Sequence, residues 1–201
     1  MNTTLRVAGC IALALSATAL ADDKTKTPPP INAEQQAMAD AYQRMGEVRA
    51  EHKRLAYFVG NWQARMTTWM DPKAPPQTSE GKSSSEAVFD GRYIQTRHEG
   101  TFMGQSYRGE GVLGFDNLRG RYFNTWMDNM STGIWLAWGS YDAARNAYAF
   151  HGQMDDPMKP GAKVPVREVI RIVDPAHYVF EWYETRKGKE AKTMQIEYAR
   201  Q

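Results

Sequence analysis

Between Asn32 and Val59 the apolar positions recur every three or four residues: Met38, Tyr42, Met45, Val48, His52, Leu55 and Val59 fall on one stripe, and Arg44, Glu47, Arg49, Glu51, Lys53 and Arg54 fill the rest. That period predicts an amphipathic helix over 31–59 with one face turned inward. Asn32 and Gln35 stand at capping-box spacing, and Gly60 ends the pattern. From Gly60 the period changes to two. Val164, Val166, Glu168, Ile170 and Ile172 are offset by Arg167 and Arg171, and Tyr178, Phe180 and Trp182 alternate with Glu181. Turn chemistry divides these runs at Asp71-Pro72, Asp90-Gly91, Gly100 to Gly104, Asp116-Asn117, Asp128-Asn129, Asp142, Asp155-Asp156-Pro157, Asp174-Pro175 and Arg186-Lys187-Gly188-Lys189. About ten strands result, and none of those between Gln77 and Asp156 contains proline. Short links make neighbouring strands antiparallel. A meander of this size without crossover helices removes its edges by closing into an up-and-down barrel over 60–201. A two-sheet sandwich is the alternative, and only the loops 72–78 and 155–162 are long enough for its crossover.

Composition adds a compartment. Ahead of the helix, Arg6 is followed by a run over 7–21 that is apolar or small throughout and ends Ala19-Leu20-Ala21. This is the pattern of a secretory signal peptide cleaved after Ala21, with export to the bacterial periplasm. Residues 22–30 follow as a polar tether ending in Pro28, Pro29 and Pro30. The run falls short of the roughly 20 residues a membrane-crossing helix needs, and no second one occurs. Of the 201 residues with net charge +2, cleavage leaves 180 and +1, so no basic excess points to nucleic acid. Cys10, the single cysteine, stands before most of the apolar run, which argues against lipid anchoring there. Its removal leaves no thiol for nucleophilic, redox or thiolate-metal chemistry.

Gly60-Asn61-Trp62 at the head of the first strand resembles the Gly-x-Trp opening of lipocalins and other calycins. The stretches His52 to Leu55 and Gly60 to Trp62, Tyr107 to Asp116, Asn124 to Gly133 and Glu197 to Arg200 resemble the bacterial domain of unknown function 1579 family, with calycin-like barrels, over nearly all of residues 52–200. The resemblance implies a lipocalin-like barrel and a habit of holding small, mostly apolar molecules. It brings no established activity or catalytic residues.

Several motifs fail on context. Gly109-x-Gly111-x-x-Gly114 spells the dinucleotide fingerprint, but Asp116-Asn117 turns the chain where a helix is required. Glycines inside a strand instead mark bends or the close approach of another side chain. The asparagine of Asn129-Met130-Ser131 reads as part of a turn rather than as a glycosylation site. His52, His98, His151 and His177 lack metal-site spacing, although an inward His98 or His151 would be the candidate ligand for haem. No cofactor is otherwise expected. No Gly-x-Ser-x-Gly elbow supports acyl-enzyme chemistry.

The strongest constellation is aromatic. Trp126, Trp135, Trp138, Phe150, Tyr178, Phe180, Trp182 and Tyr183 all lie in the second half of the meander. Strand parity puts Asn124, Trp126 and Asp128 on one face and separates Trp135 from Trp138. A barrel of about ten strands is too wide for side chains to fill easily, so a lumen lined by some of these rings is expected. The candidate ligand-binding residues are Trp126, Trp138, Asn124, Asp128, His151, Arg97, Phe180 and Trp182, with Gly60, Trp62 and Arg200 structural. Arg167 and Arg171 are outer-wall charges unless they turn inward to a carboxylate. Closure brings Arg200 against Trp62 for cation–π stacking. The expected partner is a small apolar or amphipathic ligand. Alternatives are a partner-binding protein, such as a homodimer through the N-terminal helix, and an acid–base enzyme using Asp128 or Glu181 with His151. Charges of both parities argue against an outer-membrane barrel.

Overall fold

The computed structural model describes residues 32–71 and 73–201, so the expected signal peptide, the tether and Cys10 lie outside the described residues. The chain divides into two compact units, 1–38 and 39–201. The described part of the first is Asn32 and the opening turns of α1 (Ala33–Gly46). There the capping box forms as spaced: Asn32 N donates to Gln35 Oε1 at 2.9 Å, and Gln35 N donates to Asn32 Oδ1 at 2.8 Å.

The helical stripe does not run unbroken to Val59. α1 ends at Gly46, and the chain resumes as α2 (Ala50–Leu55) and a 3-10 turn at Ala56–Phe58. Side-chain capping explains the break. Asn117 Nδ2 donates to the carbonyls of Arg44, Met45 and Glu47 at 3.3, 3.0 and 2.8 Å, satisfying the end of α1 from outside the helix. Arg49 N donates to His52 Nδ1 at 3.1 Å, which starts α2 afresh. The inward face expected for the whole stripe therefore exists only in its second half. Met38, Tyr42 and Met45 are exposed, whereas His52, Leu55 and Phe58 are buried.

Ten strands follow: β1 (Gly60–Thr68), β2 (Gln77–Val88), β3 (Tyr93–Phe102), β4 (Gln105–Asp116), β5 (Arg121–Asp128), β6 (Trp135–Asp142), β7 (Ala147–Asp155), β8 (Lys163–Asp174), β9 (His177–Arg186) and β10 (Lys189–Arg200). Each pairs antiparallel with its sequence neighbours, and β1 pairs with β10, so one sheet closes on itself. No crossover exists, which sets the sandwich aside. The acidic turn residues act through their side chains. Asp116 Oδ1 accepts the backbone N–H groups of Leu118 and Arg119, and Asp142 Oδ1 accepts those of Ala144 and Arg145.

Residues opposite one another on paired strands share a face, so the fully buried Trp62 marks the interior and the register carries that face around the barrel. Trp62 lies opposite Ser83, then His98, Gly109 and Asp128. Thr68 leads the other way to Met194, Trp182, Glu168, Phe150 and Gly139. The two ends of this interior differ. Leu55 and Phe58 plug the end where β1 begins, and they pack with Trp62, Ile94, Tyr148, Phe150 and Tyr178 into one buried cluster. At the opposite end the inward side chains of Phe102, Tyr107, Trp126, Trp135, Trp182 and Met194 are only half-buried.

Closure is fixed by the residues expected to do it. Arg200 stands opposite Trp62 in the register, with its guanidinium 4.1 Å from the ring centroid. Its Nη1 donates to Val59 O and its Nη2 to Tyr57 O, each at 2.7 Å. Gly60 has φ +127°, and a Cβ there would stand 2.9 Å from Arg200 Nη1. Glycine is therefore required for both its conformation and its lack of a side chain.

Candidate functional site

The half-buried end of the barrel is a cup with aromatic walls. β5 presents Asn124, Trp126 and Asp128 inward on alternate positions, and β9 presents Phe180, Trp182 and Glu184. Five of the eight proposed ligand-binding residues are thus brought together: Asn124, Trp126, Asp128, Phe180 and Trp182. The other three are corrected by parity. Trp138 and His151 face each other across β6 and β7, one position out of step with the buried Ala137 and Phe150, so both lie on the outer wall. Arg97 is one position out of step with the buried His98, and it pairs outside with Glu86 at 3.0 Å and Glu110 at 3.4 Å. Arg167 and Arg171 also face outward, the former paired with Glu190 at 2.7 Å. His151 lies on the outer wall while Asp128 faces inward, so that acid–base pair is not assembled, and Glu181, the alternative carboxylate, also faces outward, where it pairs with Lys192 at 3.1 Å.

Glycines shape the walls. A Cβ on Gly109 would lie 2.5 Å from Trp126 Cζ2, and one on Gly152 would lie 2.6 Å from Trp135 Cη2. Each indole therefore lies down on the bare backbone of a neighbouring strand. This is the close approach that the glycines of β4 announced in the sequence. Trp126 is pinned further: its Nε1 donates to Tyr107 Oη at 2.7 Å, and Tyr107 donates to Asp128 Oδ2 at 3.2 Å. Burial pushes the Tyr107 phenol up, so it stays a neutral donor. Trp135 packs against Trp182 with ring centroids 4.6 Å apart.

At the floor of the cup stands Glu168, 1% exposed. Its Oε1 accepts from Trp135 Nε1 at 2.8 Å, and its Oε2 accepts from Asn124 Nδ2 at 3.1 Å. Burial raises its pKa to about 7, and the two hydrogen bonds only partly oppose that. The sequence carried the signal: Glu168 shares the parity of Val164, Val166, Ile170 and Ile172, and a carboxylate among four inward apolar positions needs a reason. Tyr107 and the inward role of Trp135 were legible only from parity and register together.

His98 also faces inward, but it is built into the wall. Its Nδ1 is 2.9 Å from Ser83 Oγ, and a Cβ on Gly81 would lie 2.7 Å from its Nε2. Burial holds its pKa below the ordinary value, in the neutral form. Among the described residues no group of three or more His, Cys, Asp or Glu side chains is placed to hold a metal ion.

A separate cleft of about 380 Å³ lies outside the barrel, between the last turn of α1 and β3–β5, lined by Tyr42, Met45, His52, Tyr93, Asn117 and Phe123 among others. Asn117 Oδ1 is buried there without a hydrogen-bond partner. The cleft joins the last turn of α1 to the wall, and His52, Arg92, Asp116 and Asn117 supply its polar lining.

A protein-family model described as "Protein of unknown function (DUF1579)" matches residues 47–200. No curated protein matches the chain. Among solved structures it is similar to Rv2717c from M. tuberculosis, with 12% identity, a TM-score of 0.56, and coverage of 77% of this chain and 99% of that one. It is also similar to the S-type phycobiliprotein lyase CPES from Guillardia theta, with 14% identity, a TM-score of 0.53, and coverage of 78% and 95%. At these identities the likeness is one of fold.

Proposed function

The chain belongs to the DUF1579 family of proteins of unknown function, and from its own geometry we propose that it is an exported binding protein holding a small amphipathic molecule in the open end of the barrel. One observation carries the proposal. Trp62, Tyr122, Tyr148, Phe150 and Tyr178 are buried toward the plugged end, whereas Phe102, Tyr107, Trp126, Trp135 and Trp182 at the other are half-buried, with Trp135 and Trp182 beside the buried carboxyl of Glu168. A core serving stability alone would bury those rings at both ends and keep Glu168 out. Apolar contact with Trp126, Trp135, Phe180 and Trp182 supplies affinity, and Asn124, Asp128 and Glu168 supply orientation. A ligand burying about 300 Å² of apolar surface gains about 7 kcal/mol before association costs, which places affinity near micromolar at best.

Native mass spectrometry of the full chain, expressed with its own N-terminus in a bacterial host and recovered by cell fractionation, tests both halves of this proposal. A periplasmic protein shortened by residues 1–21 and carrying a small bound mass supports it. A cytoplasmic protein, or one whose Trp182→Ala variant retains the same bound mass, contradicts it.

A second reading rests on α1, which buries none of its residues and leaves Met38, Tyr42 and Met45 exposed. We propose that this face self-associates into a homodimer. Size-exclusion chromatography of the protein with and without residues 22–46 tests it, and an unchanged monomer in both would end the idea.

A further inference from the structure

We infer that the cup selects organic cations: an aromatic molecule bearing a positive charge, stacked among Trp126, Trp135 and Trp182 with its charge directed at Glu168. The inference rests on the cup being the binding site and adds the class of ligand it takes.

The carboxylates at inward positions of the cup are Asp128, Glu168 and Glu184, and the bases of the same parity, Arg186 and the facing Lys189, stand at the rim beside the β9–β10 turn. Glu184 is neutralised by Arg186, whose Nε lies 2.7 Å from Glu184 Oε2. Among the described residues, Asp128 and Glu168 have no such ion pair, and their hydrogen bonds come from the neutral donors Tyr107, Met130 N, Asn124 and Trp135. The basic residues of the surrounding strands, Arg97, Arg108, Arg121, Lys163, Arg167 and Arg171, sit one position out of step with the inward face. A carboxylate buried to this degree without a cation is costly, and the missing partner is of the kind a ligand can bring.

The rest of the cup suits the same ligand. A carboxylate has about four acceptor sites, and Asn124 and Trp135 occupy part of them. Indole faces carry negative potential and attract cations within about 6 Å, tryptophan more strongly than the other aromatic residues. Trp135 and Trp182 form a tilted pair beside the carboxyl. An anionic ligand would meet Asp128 and Glu168 with no compensating base, and a neutral apolar one would leave the carboxyl buried beneath it.

Three nearly isosteric probes separate the possibilities when titrated calorimetrically into the full-length protein at pH 8: N-methylquinolinium, quinoline and 1-naphthoate. The cation is expected to bind at least tenfold more tightly than quinoline, and the anion least. Glu168→Gln is expected to bring the cation down to the level of quinoline without changing quinoline itself, while Glu181→Gln on the outer wall changes neither. Asp128→Asn provides a second variant, expected to lower the cation preference severalfold if Glu168→Gln fails to fold. Equal affinities for cation and quinoline, both lost in Trp182→Ala, would overturn cation selection and leave the cup as the binding site. No binding of any probe, or binding indifferent to Trp182→Ala, would overturn both.

Discussion

Glu168 is the residue whose surroundings most affect how the protein behaves in solution. Its carboxyl titrates near 4.5 in the unfolded chain and at about 7 in the barrel. Between these values the folded state holds the extra proton, so stability falls as pH rises from about 4.5 to 7 and levels off above. The shift corresponds to a loss on the order of 3 kcal/mol across that window. The buried His52 and His98, both neutral with lowered pKa values, act in the opposite sense and lose stability as pH falls. They are shared by the variant and cancel in the difference. Thermal unfolding of Glu168→Gln should therefore match the parent near pH 5 and exceed it by several degrees at pH 8; parallel curves would show that the carboxyl is not held neutral. Gly109 offers a test of the wall itself. An added methyl would collide with the Trp126 indole 2.5 Å away, so Gly109→Ala should cost about 1–3 kcal/mol. The same change should red-shift tryptophan emission as the ring is pushed into water.

At the scale of elements, the plug and the helix before it have different energetic weights. α2 and the 3-10 turn seat Leu55 and Phe58 in the closed end, where Trp62 Nε1 donates to Phe58 O at 2.9 Å and Arg54 Nη1 to Tyr122 Oη at 2.9 Å. Leu55 is 0% exposed, so Leu55→Ala should cost about 2–5 kcal/mol in denaturant unfolding. α1 buries nothing, and its last carbonyls are tied to the wall by Asn117. Asn117→Ala should raise the hydrogen-exchange rates of the residues around Gly46 and cost about 1 kcal/mol. The helical period was legible over the whole of 31–59, but period alone reports which residues share a face. It is silent on whether another surface covers that face, and for Met38, Tyr42 and Met45 none among the described residues does.

For the whole molecule, closure of one sheet gives each strand an inside and an outside, and that division decides which aromatics face the interior. Trp182 and Trp138 are the same residue type in adjacent parts of one meander, yet one lines the cup and the other stands outside against Arg119 and Phe123. Trp182→Ala should weaken binding of any cup ligand about tenfold or more, and Trp138→Ala should leave it unchanged within error. Equal losses in both would mean that binding is on the outer wall.

The sequence by itself determined the strand count, the positions of the turns and the closure contact of Arg200 with Trp62, because turn chemistry and two-residue alternation are local, and a meander with short links has one way to remove its edges. It determined equally that Asn124, Trp126 and Asp128 share a face. Which face points inward was decided only by the closed register, since alternation fixes relative parity and the burial of Trp62, Ala137 and Phe150 supplies the sign. The tertiary structure also decided that the stripe breaks at Gly46, because the cap comes from Asn117, some 70 residues later. It alone brought Glu168 of β8 beneath Trp135 of β6 and Asn124 of β5, because a buried carboxyl acquires its shifted pKa and its partners from neighbours distant in the chain.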